Sequence, residues 1–123
     1  MIVDTVVDVG KNRLFVRVHG RIDDSEAKSI ADSIIQQMER LRPGFDVVTD
    51  LTQAEPLGPE GVVQLKRIME AHIARKSRRT VRIVGRSTQV ALQFSRTGKE
   101  LRHEPYLCFS REEAERWLDG EGL

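Results

Sequence analysis

The sequence lacks the features on which several protein classes depend. Cys108 is the only cysteine, so the chain can form no internal disulfide and offers no thiolate cage for zinc. No apolar run approaches the roughly 18 residues that a membrane span requires. The N-terminal segment has no basic leader followed by an apolar stretch and a cleavage site, so we expect a cytoplasmic protein without a membrane span.

The composition fits a folded domain with a heavily charged surface. The length of 123 residues suits a single domain over positions 1–123, and 39% hydrophobic residues are enough for a core. The charge is uneven, because residues 71–99 carry 8 basic and 0 acidic side chains. This block either meets an anionic partner or forms a solvated face that the fold balances.

Hydrophobic periodicity and capping residues predict alternating strands and helices. A hairpin comes first, because two β-branched stretches flank a Val-Gly-Lys-Asn turn. Four helices follow it, and a strand lies between each helix and the next. In chain order we predict strands over 2–9 and 14–18, a helix ended by 42–44, a strand over 45–51, a helix over 59–73, a strand over 80–85, a helix closed by Thr97-Gly98, a strand over 106–109 and a final helix capped by Ser110.

This order predicts the α/β class. Strands separated by helices pair mostly in parallel through right-handed crossovers, whereas a hairpin pairs antiparallel. We therefore expect a mixed sheet of about five strands, covered by about four helices, with the hairpin at one edge.

Three segments in this order resemble the STAS domain, also called SpoIIAA-like. They are Gly-Arg-Ile-Asp before the first helix, Asp-Leu-Thr at the end of the third strand, and the closing Phe-Ser-Arg-Glu-Glu-Ala-Glu-Arg-Trp-Leu. The family includes anti-sigma factor antagonists, stressosome subunits and the cytoplasmic tails of sulfate transporters. The resemblance covers almost the whole chain, and the closing segment is most similar to small stand-alone bacterial members.

The resemblance implies that a phosphorylation site is missing. In the antagonists, a partner kinase phosphorylates a serine in an Asp-Ser-Ser-Gly segment that follows Asp-Leu-Ser. Matching Asp-Leu-Ser to residues 50–52 places Glu55 on the aspartate, Leu57 on the phosphoacceptor and Gly58 on the glycine. Leucine has no hydroxyl, so the resemblance implies a constitutive binder rather than a phosphorylation switch, provided that Leu57 is exposed.

We therefore expect a non-enzymatic regulatory domain that binds a protein partner, as a homodimer or within a larger assembly. The resemblance implies that the partner contacts the loop before the second helix and the exposed face of that helix, where Glu70 also lies. The expected partner-binding residues are Thr52, Glu55, Leu57, Gly58, Gln64 and Arg67.

A ligand-binding role is the alternative. A loop of Gly85, Arg86, Ser87 and Thr88 follows a strand and opens a helix, so its N–H groups and hydroxyls can hold a small anionic ligand or a lipid head group. Simple capping of the helix by Ser87 or Thr88 explains the same residues.

Other functions have less support in the sequence. No serine or cysteine has an evident activating histidine, and an enzyme would need Asp50, Glu55 and His72 to converge. No metal-ligand spacing occurs, so we expect no metal and no cofactor. The basic residues from Arg75 to Arg79 lack interleaved aromatics for base stacking, so we do not expect nucleic acid as the partner.

Overall fold

The computed structural model describes residues 2–120, which form a five-stranded mixed sheet with helices on both faces. The elements are β1 (Val3–Asp8), β2 (Arg13–Gly20), α1 (Asp24–Met38), β3 (Asp46–Ala54), α2 (Pro59–Ala74), β4 (Arg79–Ile83), α3 (Thr88–Glu100), β5 (Tyr106–Cys108) and α4 (Arg111–Leu118). The spatial order of the strands is β1-β2-β3-β4-β5. β1 pairs antiparallel with β2, and the other neighbours pair in parallel. The predicted α/β class, element order and hairpin edge are confirmed.

The two faces of the sheet carry separate apolar clusters. Alternate side chains of the strands, such as Val16 and Val47, pack under α1, α2 and α3 in the larger cluster. Side chains of the opposite parity, such as Val48 and Val81, pack under α4 with Cys108. Trp117 of α4 packs against this second cluster, and its ring stacks on Tyr106 with the centroids 4.4 Å apart.

A buried ion-pair network ties α4 to the sheet. Arg13 and Asp46 face each other across β2 and β3, and the Arg13 Nε donates to Asp46 Oδ2 at 3.2 Å. Arg79 on β4 donates to the same carboxylate, and Arg13 Nη2 donates to Asp119 at the C-cap of α4 at 2.7 Å. Because the Arg13 and Asp46 side chains are each only 5% exposed, this network is part of the interior.

Two helix ends differ from the prediction. α1 ends at Met38, four residues before Arg42, because the N–H groups of residues 39–41 bond three residues back in a tighter turn. α3 continues through Gly98 to Glu100, and Arg102, at φ 54°, takes the left-handed position that ends it. Gly98 is required inside the helix, because a Cβ there would lie 2.9 Å from the carbonyl oxygen of His103.

Candidate functional site

The loop between β3 and α2 lies at the carboxyl edge of the parallel strands, where α/β sheets commonly bind their ligands. Leu57 lies immediately before Gly58, the N-cap of α2, at the place where the resemblance puts the phosphoacceptor. Its side chain is half-buried and packs against the larger core cluster. The condition that Leu57 be exposed is therefore met only in part, because the leucine turns inward over the first turn of α2.

The backbone of Leu57 is fixed from α3. The Leu57 N–H donates to Gln93 Oε1 at 2.8 Å, and Gln93 Nε2 donates to the Leu57 carbonyl at 2.7 Å. Gly61 provides space for the inward leucine, because a Cβ on Gly61 would lie 3.0 Å from the Leu57 Cβ. The loop before α2 is therefore held in one conformation by side-chain and backbone contacts together.

Thr52 and Glu55 are exposed at the same edge. The Thr52 hydroxyl donates to Asp50 Oδ1 at 2.7 Å, and the Thr52 N–H bonds the same oxygen. The Glu55 N–H donates to the Gly20 carbonyl at 2.9 Å, so β2 anchors the start of the loop. The hydroxyl nearest to position 57 along β3 thus already has a carboxylate partner.

Two residues expected on the exposed face of α2 are engaged elsewhere. Gln64 is only 8% exposed, so its placement on that face was wrong. Its amide can be buried because it donates to Glu60 and accepts from Arg67, both on the same helix. Arg67 is half-buried and also forms an ion pair with Asp32 of α1.

The exposed face of α2 carries two large apolar residues. Val63 is 59% exposed and Ile73 is 40% exposed, whereas the buried stripe runs through Leu65 and Met69. Glu70 is exposed, as expected.

The loop from Gly85 to Thr88 has a structural role at each end. The Ser87 hydroxyl accepts from the Val90 N–H at 3.2 Å, which confirms the predicted cap of α3. Gly85 packs so closely on β3 that a Cβ would lie 2.8 Å from the carbonyl oxygens of Leu51 and Thr52. Arg86 and Thr88 are exposed. Anion binding by this loop stays a prediction.

An exposed aromatic ring lies at this edge and was missed by the sequence analysis. Phe109 follows β5 and is 77% exposed. A shallow depression is lined by Phe109, Thr52 and Arg86, so the ring adjoins both predicted loops. The sequence does contain a signal, because the run Tyr-Leu-Cys-Phe is apolar throughout, and within residues 2–120 its strand β5 lies at the edge of the sheet.

The three residues considered for catalysis do not all converge, because Glu55 lines the same cavity as His72 but Asp50 does not. Asp50 lines a groove on the face of the sheet that carries α4, whereas His72 lines the cavity under α1, α2 and α3. His72 instead contacts His103, with the ring centroids 5.0 Å apart. Within residues 2–120 no group of three or more His, Cys, Asp or Glu side chains is arranged to hold a metal ion.

The basic block is distributed through the fold. Arg79 pairs with Asp46, Arg75 donates to the Ala71 carbonyl near the end of α2, and Arg82 is buried at 5% exposure. These placements favour the structural reading of the block. None of the helices within residues 2–120 combines the length and apolar character needed to cross a membrane.

Comparison with known proteins identifies the fold. No family model matches the chain, and no curated protein matches it in sequence. Its structure is similar to an anti-sigma factor antagonist from Mycobacterium paratuberculosis, with a TM-score of 0.64 and 20% identity over 95% of this chain and 94% of that one. Unphosphorylated SpoIIAA, also an anti-sigma factor antagonist, gives a TM-score of 0.59 and 14% identity over 98% of this chain and 99% of its own.

A Thermotoga maritima protein assigned to the same class gives a TM-score of 0.68 at 8% identity, covering 95% of this chain and 94% of that one. Together these likenesses show that the chain has the STAS or SpoIIAA-like fold that the sequence predicts.

Proposed function

We propose that this protein is a non-enzymatic regulatory protein of the cytoplasm that binds a partner of the anti-sigma factor type without a phosphorylation switch at position 57. Its structural neighbours are anti-sigma factor antagonists, which supports this class of partner. The observation that carries the proposal is the fixed loop before α2, where Leu57 replaces a hydroxyl residue and Gln93 holds its backbone.

A fixed loop suits constitutive binding. An interface that is ordered before association loses less conformational entropy when the complex forms. A phosphorylation switch needs an accessible hydroxyl, and position 57 has none. Thr52 is a poor substitute, because a phosphate on its hydroxyl would lie beside the Asp50 carboxylate that now accepts its hydrogen bond.

Phe109 is the strongest candidate for an apolar anchor in this interface. Aromatic side chains, Phe among them, are enriched at protein interfaces relative to the rest of the surface. The ring is 77% exposed and adjoins Thr52 and Arg86. The proposed contact surface therefore runs from Glu55 and the start of α2 across Thr52 to Phe109.

The test is binding of the purified protein to anti-sigma factors encoded in the same genome, measured by isothermal titration calorimetry. Phe109→Ala should weaken binding by about tenfold or more. Val9→Ala is the matched control, because Val9 is 49% exposed and lies in the hairpin turn at the opposite edge of the sheet. Leu57→Asp should also weaken binding. Because Leu57 is half-buried, circular dichroism is used to check that this variant still folds.

Equal affinities for the wild type and Phe109→Ala would remove Phe109 from the interface. If none of the anti-sigma factors bound the wild type, the proposed partner class would be wrong.

A further inference from the structure

A cavity of about 90 Å³ lies between the sheet and the layer formed by α1, α2 and α3. Its wall is mostly apolar and includes Val16, Leu65 and Met69. A few polar side chains interrupt this wall, among them Arg82, His72 and His103. The cavity is distinct from the depression beside Phe109, but Glu55 and Leu57 of the loop before α2 also line it, so it reaches the proposed partner surface there.

Arg82 is the unusual member of this wall. It is only 5% exposed, and within residues 2–120 no ion pair or side-chain hydrogen bond engages its guanidinium, so burial alone acts on its pKa and lowers it to about 10. Its guanidinium lies over the Phe94 ring, with Cζ 5.1 Å from the ring centroid. The other buried arginine within residues 2–120 behaves differently, since Arg13 bonds both Asp46 and Asp119 and leaves only its Nη1 without a partner.

A second polar group in the same wall also lacks a partner. The Nε2 atom of His103 is buried and makes no hydrogen bond within the described part of the chain. Its neighbour His72 uses Nδ1 to bond the Ser77 hydroxyl at 2.8 Å. A guanidinium without an ion pair and a fully buried imidazole nitrogen without a hydrogen bond therefore line one cavity, and burial disfavours the charge of the first and the unbonded state of the second.

The charges of the side chains that line the cavity indicate what kind of ligand would bond to Arg82 and His103. Burial, together with His103 and Arg82, lowers the pKa of His72 to about 4, and burial with Arg82 also lowers the pKa of His103. Both imidazoles are therefore neutral at pH 7, which leaves Arg82 as the one positive charge of this cluster. Glu55, the acidic side chain of the lining, is exposed to solvent, whereas Arg82 is buried, so a single negative charge on a ligand beside Arg82 would balance it.

The size and lining of the cavity limit the ligand further. An apolar cavity of about 150 Å³ holds a benzene molecule, so a cavity of about 90 Å³ accommodates only a few non-hydrogen atoms. A planar carboxylate matches the forked donors of a guanidinium, and a short hydrocarbon tail matches the apolar wall.

From this geometry we propose that the cavity is a binding site for a small monocarboxylate, whose carboxylate pairs with Arg82 and accepts from His103 while its short apolar tail lies along the core side chains.

The test uses propionate as the probe and propionamide as its neutral control. Each is titrated at constant ionic strength into the purified full chain, and binding is followed through the side-chain ¹⁵N signals of Arg82 and the imidazole signals of His103. Propionate should cause saturable shifts in both, and propionamide should not. Arg82→Met should weaken propionate binding by about tenfold or more, because it removes a charge-assisted hydrogen-bond donor.

The controls separate binding from folding and from general charge effects. Arg96→Met removes one exposed positive charge from α3 and should leave propionate binding unchanged. His103→Phe keeps a ring but removes the imidazole donor, so it should weaken binding even if Arg82→Met does not fold. The site is disproved if propionate gives no saturable shift, if propionamide matches it, or if folded Arg82→Met retains the wild-type affinity.

Discussion

Gln93 on α3 bonds both the N–H and the carbonyl of Leu57, at 2.8 and 2.7 Å, and so fixes the loop before α2 from a neighbouring helix. This contact joins two residues that are 36 positions apart, and it leaves the Leu57 backbone without a free polar group.

Gln93→Ala should release this loop. Losing two partly buried hydrogen bonds should cost about 1–3 kcal/mol, because each contributes roughly 1 kcal/mol and the freed groups are not fully reached by water. Hydrogen exchange at the Leu57 amide should become much faster. Gln89→Ala, at an exposed position of the same helix, should change neither quantity, and unaltered exchange at Leu57 in the Gln93 variant would contradict the proposed clamp.

Gly85→Ala should destabilise the fold by about 1–3 kcal/mol, the usual cost of overpacking. The new Cβ would lie 2.8 Å from two carbonyl oxygens of β3, and backbone atoms cannot move aside as a flexible side chain can. Gly10→Ala is the control, because its Cβ would come no closer than 3.5 Å to Asp8 Oδ1. Urea unfolding of both variants checks the prediction, and equal midpoints would show that this close approach is not a constraint.

Asp46→Ala should be among the most damaging substitutions of a charged residue. It leaves the buried Arg13 with only the partly exposed Asp119 as a partner, and removing one member of a buried ion pair typically costs about 3–5 kcal/mol. Asp32→Ala, which breaks exposed pairs with Lys28 and Arg67, should cost far less. Similar thermal midpoints for the two variants would argue against a structural role for the network.

Stability should fall as the pH drops from about 6.5 to about 4. The folded pKa of His72 is lowered to about 4 by burial and by the nearby His103 and Arg82, so between these values the unfolded chain binds more protons than the folded one. The free energy of unfolding is therefore highest, as far as His72 contributes, above about pH 6.5, where His72 is neutral in both states. The free energy of unfolding should drop by about 2 kcal/mol between pH 7 and pH 5.

His72→Gln should remove most of this dependence, as measured by urea unfolding at the two pH values. His19→Gln should retain it, because His19 is a partly exposed residue of β2 that bonds Asp4. A His72 variant with the wild-type pH dependence would mean that another group is responsible.

Local signals in the sequence were enough to predict most of the architecture. Pro59 occupies the first turn of α2, and Ser87 and Ser110 accept from N–H groups three residues ahead, as the capping patterns predict. In each case the two interacting groups lie within a few residues of each other, so a short stretch of sequence is enough to predict the interaction.

The features that the sequence could not predict depend on distant partners. Gly98 was expected to end α3, but the His103 carbonyl packs against it inside the helix. Arg82 sits in a basic block and alternates with apolar residues, which is equally typical of an exposed face, and only the covering helices make it buried. Leu57 could be matched to the phosphoacceptor by its spacing, whereas its inward orientation depends on Gln93 and Gly61.

The proposed constitutive binding is tested most directly by native mass spectrometry of the wild-type protein mixed with an anti-sigma factor that binds it, before and after addition of MgATP. The account predicts the same abundance of the complex in both spectra and no added phosphate on this chain. Dissociation of the complex on adding MgATP, together with a phosphate on this chain, would contradict it.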